Sequence, residues 1–126
     1  PPLMKSYKYL KKAAKKGFDW TDVKDVNNKI LEELKEVEDA ALQIDKNHLE
    51  EELGDLLLSV VNLSRFYGID PSVALSRAND KFYNRFSFVE KSMKTNDIPM
   101  TTEHLQEMER FWQQSKQVNS PNKSGH

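Results

Sequence analysis

The sequence predicts an all-α protein, a helical bundle with short loops, and three observations predict it. Apolar residues recur at spacings of three and four along nearly the whole chain. No stretch alternates apolar and polar residues in the way a half-buried strand would. Helix start and stop residues fall at the ends of the periodic segments. The 126 residues suit one domain with a substantial core.

Leu3, Tyr7, Leu10 and Ala14 form the first stripe, and Gly17 supplies a C-terminal stop. Val23, Val26, Ile30, Leu34, Val37, Ala41 and Ile44 continue the spacing in a second helix, with start signals at Asp19 to Asp22. The third segment runs from about Leu49 to Tyr67, capped by Asn47 and ended by Gly68. Asp70-Pro71 opens the fourth helix, an acidic N-cap followed by Pro at the first helical position. Its stripe is Leu75, Ala78, Phe82, Phe86, Val89 and Met93. Asn96 to Met100 break the pattern, and Thr101 or Thr102 opens a last helix with Leu105, Met108 and Trp112. The expected domain covers residues 1–117, with a disordered tail over 118–126. Pro1-Pro2 without an initiator Met reads as a fragment of a longer protein.

The formal net charge of −1 argues against a nucleic-acid binder or a polybasic membrane protein, but it hides a split. Residues 1–18 carry six Lys and no acid, residues 19–55 carry 13 acids and four Lys, and residues 56–126 carry seven acids and nine bases. The Lys-rich first helix reads as a solubility or partner surface rather than a nucleic-acid contact. Zero Cys removes disulfides, thiolate nucleophiles and zinc–thiolate sites, and fits a cytoplasmic protein. The most apolar run, Leu56 to Leu63, is interrupted by Ser59 and Asn62 and falls short of the ~20 residues that span a bilayer.

The acidic segment carries the chemistry. On a helical projection of ~100° per residue, Glu33 lies at the border of the second helix's apolar stripe. On the third helix Leu49, Leu53, Leu56, Leu57, Val60 and Leu63 form the apolar stripe, with Leu58 and Phe66 on the other side. A polar row of Glu52, Asp55, Ser59 and Asn62 runs between them, so the helix reads as buried nearly all round. Buried carboxylates are costly unless compensated, and no basic residue lies between Lys46 and Arg65. Gly54, between the two acids, suggests close approach of a backbone or a ligand. Antiparallel helices would face Glu33/Glu36 against Glu52/Asp55; the acids either flank a bundle seam and pair with Lys, or bind a cation. Oxygen donors without Cys or a Glu-x-x-His pattern suit Mg²⁺ or Mn²⁺ rather than zinc, copper or a di-iron centre.

Lys81 and Arg85 lie one turn apart on the fourth helix, and Lys116 lies one turn after Trp112. They read either as a solvated face and a core aromatic, or as contacts to a ligand with phosphates and a flat base. With only four Gly in the chain, no P-loop or dinucleotide fingerprint is possible.

Glu32-Glu33-Leu34-Lys35-Glu36 followed by Glu51-Glu52-Leu53-Gly54-Asp55 resembles the EExxE…ExxD signature of the MazG-type nucleoside triphosphate pyrophosphohydrolases. The similarity continues through Gly17-Phe18-Asp19-Trp20, Val61-Asn62-Leu63, Ala78-Asn79-Asp80-Lys81-Phe82 with Arg85-Phe86, and Met108-Glu109 with Trp112 and Lys116. It covers about residues 3–117 and is closest to the C-terminal domain of the two-repeat MazG proteins. The resemblance implies an all-α homodimer and Mg²⁺-dependent cleavage of a (d)NTP to the monophosphate and pyrophosphate. It implies Glu33, Glu36, Glu52 and Asp55 as metal ligands, with one of these glutamates or Glu32 orienting or deprotonating the attacking water. Lys81 and Arg85 would bind the polyphosphate, and Trp112 and Lys116 would lie near the nucleotide. A related enzyme acting on dUTP, dCTP or phosphoribosyl-ATP, and a non-catalytic dimerisation or regulatory module, are the alternatives.

Overall fold

A computed structural model describes residues 1–118, and among these it contains helices and no strand. The helices are α1 (Pro2–Lys15), α2 (Val23–Ala41), α3 (Lys46–Phe66), α4 (Pro71–Thr95) and α5 (Leu105–Val118), with a short 3₁₀ turn at Thr102–His104. Helix α5 includes Val118, which the sequence assigned to the tail; the rest of that expected tail lies outside the described residues.

Each boundary has a local cause. Asp22 caps α2 by accepting from the Lys24 amide at 2.9 Å. Asp70 accepts from the Ser72 and Val73 amides at 2.8 and 3.3 Å, as its place before Pro71 predicts. The cap of α3 is Asp45 rather than Asn47: its carboxylate accepts from the Asn47 and His48 amides at 3.0 and 3.3 Å, which leaves Asn47 inside the first turn. Gly17 and Gly68 adopt φ of +90° and +70° and close α1 and α3 in the same way. In each, the residue after the glycine donates back across the last turn, Phe18 to Ala13 O and Ile69 to Ser64 O. Asp97, at φ +57°, does the same job after α4, with Ile98 donating to Met93 O.

The chain forms two compact units, Pro1–Leu75 and Ser76 onward. In the first, α2 and α3 form a helical hairpin joined by residues 42–45, and α1 packs on α3. Leu3, Tyr7, Leu10 and Ala14 are half-buried, as their spacing predicts. The faces that α2 and α3 bury differ from expectation. On α2 the buried residues are Val26, Glu33 and Ala40, whereas Leu34 is exposed. Helix α2 stops at Ala41, so Ile44 lies beyond it and is fully exposed. On α3 Ser59 and Val61 are buried, whereas Leu53, Leu57, Leu58 and Val60 are exposed. The covered face of α3 is therefore mixed, with Glu52, Ser59 and Asn62 of the polar row beside the half-buried Leu49, Leu56 and Leu63.

In the second unit Val89, Met93 and Phe111 form the core, with Phe88, Ile98, Met108 and Trp112 packed against it. Phe82 and Phe86, expected in that stripe, are exposed and stack on each other with centroids 5.8 Å apart. Leu75 and Leu105 are exposed as well, and Ser115 is buried in place of a larger apolar residue.

Gly54 meets no close approach: a Cβ added there would have nothing within 4 Å. Gly54→Ala is therefore expected to stabilise the chain by about 0.5–1 kcal/mol through helix propensity alone. Urea denaturation checks this, and a loss of stability would mean that something beyond the single chain packs against that turn.

Candidate functional site

The α2–α3 hairpin sets Glu33 across the seam from the polar row of α3. Glu33, Glu52 and Asp55 each offer a carboxylate oxygen, and these atoms lie within 4.8 Å of one another. Glu33 is only 8% exposed, Glu52 is partly covered and Asp55 is exposed, so the cluster opens from the seam to solvent. Glu36, one turn after Glu33, is exposed and outside this trio, though its charge acts on Glu52. Glu32 is exposed and lies 3.4 Å from the Lys29 ammonium.

Lys29 is the cation that compensates Glu33, at 3.1 Å, and Glu33 raises the Lys29 pKa chiefly through that hydrogen bond. The pair is an i, i+4 spacing on α2, the pairing with Lys that one of the two sequence readings of these acids expects. Glu52 has no such partner. Its pKa is raised, first by partial burial and then by the charge of Asp55, with smaller contributions from Glu36 and Glu33. His48 acts in the other direction, and His48, Glu51 and Glu52 form a second close group on the first turns of α3.

Glu33 and Asp55 lie on the wall of a cavity of about 600 Å³ in the first unit. Lys29, Ser59 and Asn62 add polar groups to its lining, and Phe18 and Trp20 add two aromatic rings. The segment carrying these aromatics is held by Asp19, which Arg65 grips from α3 with two bonds of 2.6 and 3.1 Å. Arg65 also donates through Nε to the Asn62 side-chain oxygen at 2.9 Å.

In the second unit Lys81 is exposed and Arg85 is half-buried, and the Arg85 Nε is enclosed without a hydrogen-bond partner among the described residues. Trp112 and Lys116 are half-buried on α5, and Trp112 meets Phe82 with ring centroids 5.5 Å apart. Trp112 thus borders the core of its unit.

The donor set fits a hard divalent cation: three carboxylates from two helices, no sulfur, and a geometry that opens on one side. The comparisons with known proteins agree. A nucleoside triphosphate pyrophosphohydrolase of Escherichia coli K12 is 44% identical over 118 residues, covering 92% of this chain and 45% of that protein. The nucleoside triphosphate pyrophosphohydrolase/pyrophosphatase MazG of Thermotoga maritima is 39% identical over 116 residues, covering 92% of this chain and 44% of its own length. The chain therefore spans a little under half the length of these relatives. The family model described as the MazG nucleotide pyrophosphohydrolase domain matches residues 15–89, the segment that contains every acidic candidate. By that match, over more than half of its residues, the chain belongs to the MazG nucleotide pyrophosphohydrolase domain family.

Proposed function

We propose that the protein hydrolyses nucleoside triphosphates to the monophosphate and pyrophosphate with Mg²⁺, or Mn²⁺ in its place, held by Glu33, Glu36, Glu52 and Asp55. The convergence of the Glu33, Glu52 and Asp55 carboxylates, two of which, Glu33 and Asp55, line one cavity, carries this reading. The names of the relatives support it. Bound there, the cation supplies Lewis-acid neutralisation of phosphate charge and acidifies a water.

The side chains have distinct tasks. Glu33, fixed by burial and by Lys29, is the rigid ligand, while Asp55 and Glu36 stand at the open side. Glu52, whose carboxyl partial burial and the charge of Asp55 push above the usual glutamate value, suits the attacking water; Glu32 is the second candidate for that role. Lys81 and Arg85 bind the polyphosphate and the departing pyrophosphate, and the unpartnered Arg85 Nε is a donor ready for a phosphate oxygen. Trp112 and Lys116 complete the nucleotide contacts. A triphosphate substrate places the enzyme in the cytoplasm, and no described helix is long and apolar enough to cross a membrane.

We further propose a homodimer. Leu31 and Leu34 on α2 and Leu53, Leu57 and Val60 on α3 remain exposed, an apolar surface that a second copy would cover.

Pyrophosphate release from each of the eight common (d)NTPs, with and without Mg²⁺, tests the activity. Turnover only with the cation is expected, and Glu52→Gln or Asp55→Asn should lower it at least about a hundredfold. Activity confined to dUTP, dCTP or phosphoribosyl-ATP marks a narrower enzyme, and no release from any substrate returns the domain to a non-catalytic module.

Glu52 also predicts a pH signature. A carboxylate whose folded pKa lies above its unfolded value costs stability when ionised, and the cost fades as pH falls through that pKa. Glu52→Gln should therefore raise the melting temperature of the metal-free protein near pH 7, lose that advantage in acid, and abolish the Mg²⁺-induced rise. Scanning calorimetry at both pH values, with and without Mg²⁺, reads all three.

Light scattering after size exclusion should give a dimer, and Leu57→Glu should give a monomer with its helix content intact. A wild-type monomer at micromolar concentration would remove the dimer from the reading.

A further inference from the structure

The carboxylates of the cavity lining are accounted for by the proposed cation, but its aromatics are not. Phe18 and Trp20 stand 84% and 44% exposed, two aromatic rings left in solvent on a chain whose cores include few large residues. Exposed aromatics on a loop usually cost order without return. Here the loop is built to hold them. Gly17 takes the left-handed turn that sends the chain across the end of α1, and the Phe18 amide donates to Ala13 O at 3.0 Å. Asp19 is gripped by both terminal nitrogens of Arg65, and the Trp20 amide donates to the Asp19 carboxylate at 2.8 Å. The backbone of 17–20 is thus anchored at both ends while its rings remain uncovered.

The polar atoms facing those rings are nearly all committed. The Ser59 hydroxyl donates to Leu56 O at 2.7 Å, and Lys29 is paired with Glu33 at 3.1 Å. Asn62 differs. Its side-chain oxygen accepts from Arg65 Nε at 2.9 Å, which fixes which end of the amide is which and leaves the NH₂ group without a partner among the described residues. One guanidinium therefore sets both the aromatic segment, through Asp19, and the amide of Asn62.

We propose that Phe18, Trp20 and Asn62 form the nucleobase subsite of this cavity, a stacking surface with a single hydrogen-bond donor. The ligand this fits is flat and aromatic and carries a ring nitrogen or carbonyl oxygen as acceptor, which every common nucleobase does. Stacking is indifferent to the identity of the base, and one donor discriminates weakly, so the subsite admits purines and pyrimidines alike. A cavity of about 600 Å³ whose lining includes both carboxylates and aromatics accommodates a nucleotide with its phosphates toward Glu33 and Asp55 and its base toward Trp20. The inference rests on the pyrophosphohydrolase reading for the phosphate end alone; the base end stands on the loop geometry. Arg65 is a positioning residue in this scheme, acting through Asp19 and Asn62.

The test compares Trp20→Ala, Trp20→Phe and wild type on nucleoside triphosphates and on tripolyphosphate, which has no base. Trp20→Ala should raise KM for the nucleotides about tenfold or more, Trp20→Phe should recover most of the loss, and affinity for Mg²⁺-tripolyphosphate should not move. An unchanged nucleotide KM overturns the subsite, and so does an equal loss on tripolyphosphate, which would mean a merely structural Trp20. If wild type releases pyrophosphate from no nucleotide, the activity reading fails by itself, and binding then decides the subsite. The Trp20 indole is the difference between wild type and Trp20→Phe, and a nucleoside monophosphate should quench that difference in emission while ribose 5-phosphate should not. Absence of that quench, with adenosine and uridine monophosphates both at millimolar concentration, overturns the proposal.

Discussion

Everything in the first unit depends on a carboxylate placed in a helix–helix seam. Glu33 is 8% exposed between α2 and α3, where an apolar side chain would ordinarily stabilise the hairpin. A buried carboxylate costs several kcal/mol unless it is paired, and Lys29 provides the pairing from one turn away on the same helix. Because the compensation is local to α2, α3 need not supply a base of its own. It can present Glu52, Asp55, Ser59 and Asn62 to the same seam, and the carboxylates of both helices then converge.

That choice of inward face has a consequence on the outside. The inward face of α3 carries Glu52 and Ser59 beside the half-buried Leu49, Leu56 and Leu63, while Leu53, Leu57 and Val60 are exposed. Of the apolar residues of α2 and α3, Val26, Ala40 and Val61 are buried. Covering Glu52 and Ser59 is thus a rotation of α3 that leaves part of its apolar stripe outside.

The same rotation separates what the sequence made legible from what it did not. Helix number, order and most boundaries followed from periodicity and from local signals such as Asp70-Pro71, Gly17 and Gly68, because these depend on neighbouring residues only. Facing did not follow. Hydrophobic spacing assigns the apolar stripe of α3 to the core of its own chain, and nothing in one sequence distinguishes that core from an outer surface. Glu33 was placed at the border of the stripe and is in fact central to the buried face, a difference of well under one turn. The cap at Asp45 was missed for a smaller reason, since Asp45 and Asn47 are both competent caps and only backbone geometry chooses between them. Gly54, where the sequence suggests a close approach, faces open space.

Charge arithmetic then explains why the site is not complete by itself. The trio of Glu33, Glu52 and Asp55 carries three negative charges, and one ammonium, that of Lys29, is bonded to one of them. The surplus is registered at Glu52, whose carboxyl holds its proton more tightly than an isolated glutamate would because partial burial and Asp55 both oppose ionisation. A fold selected for stability alone would relieve this by replacing Glu52 or Asp55 with an amide, as a satisfied seam needs only the Lys29–Glu33 pair. Retaining both acids leaves a surplus of negative charge that a divalent cation at the open side would offset, and such binding would add to the stability of the fold.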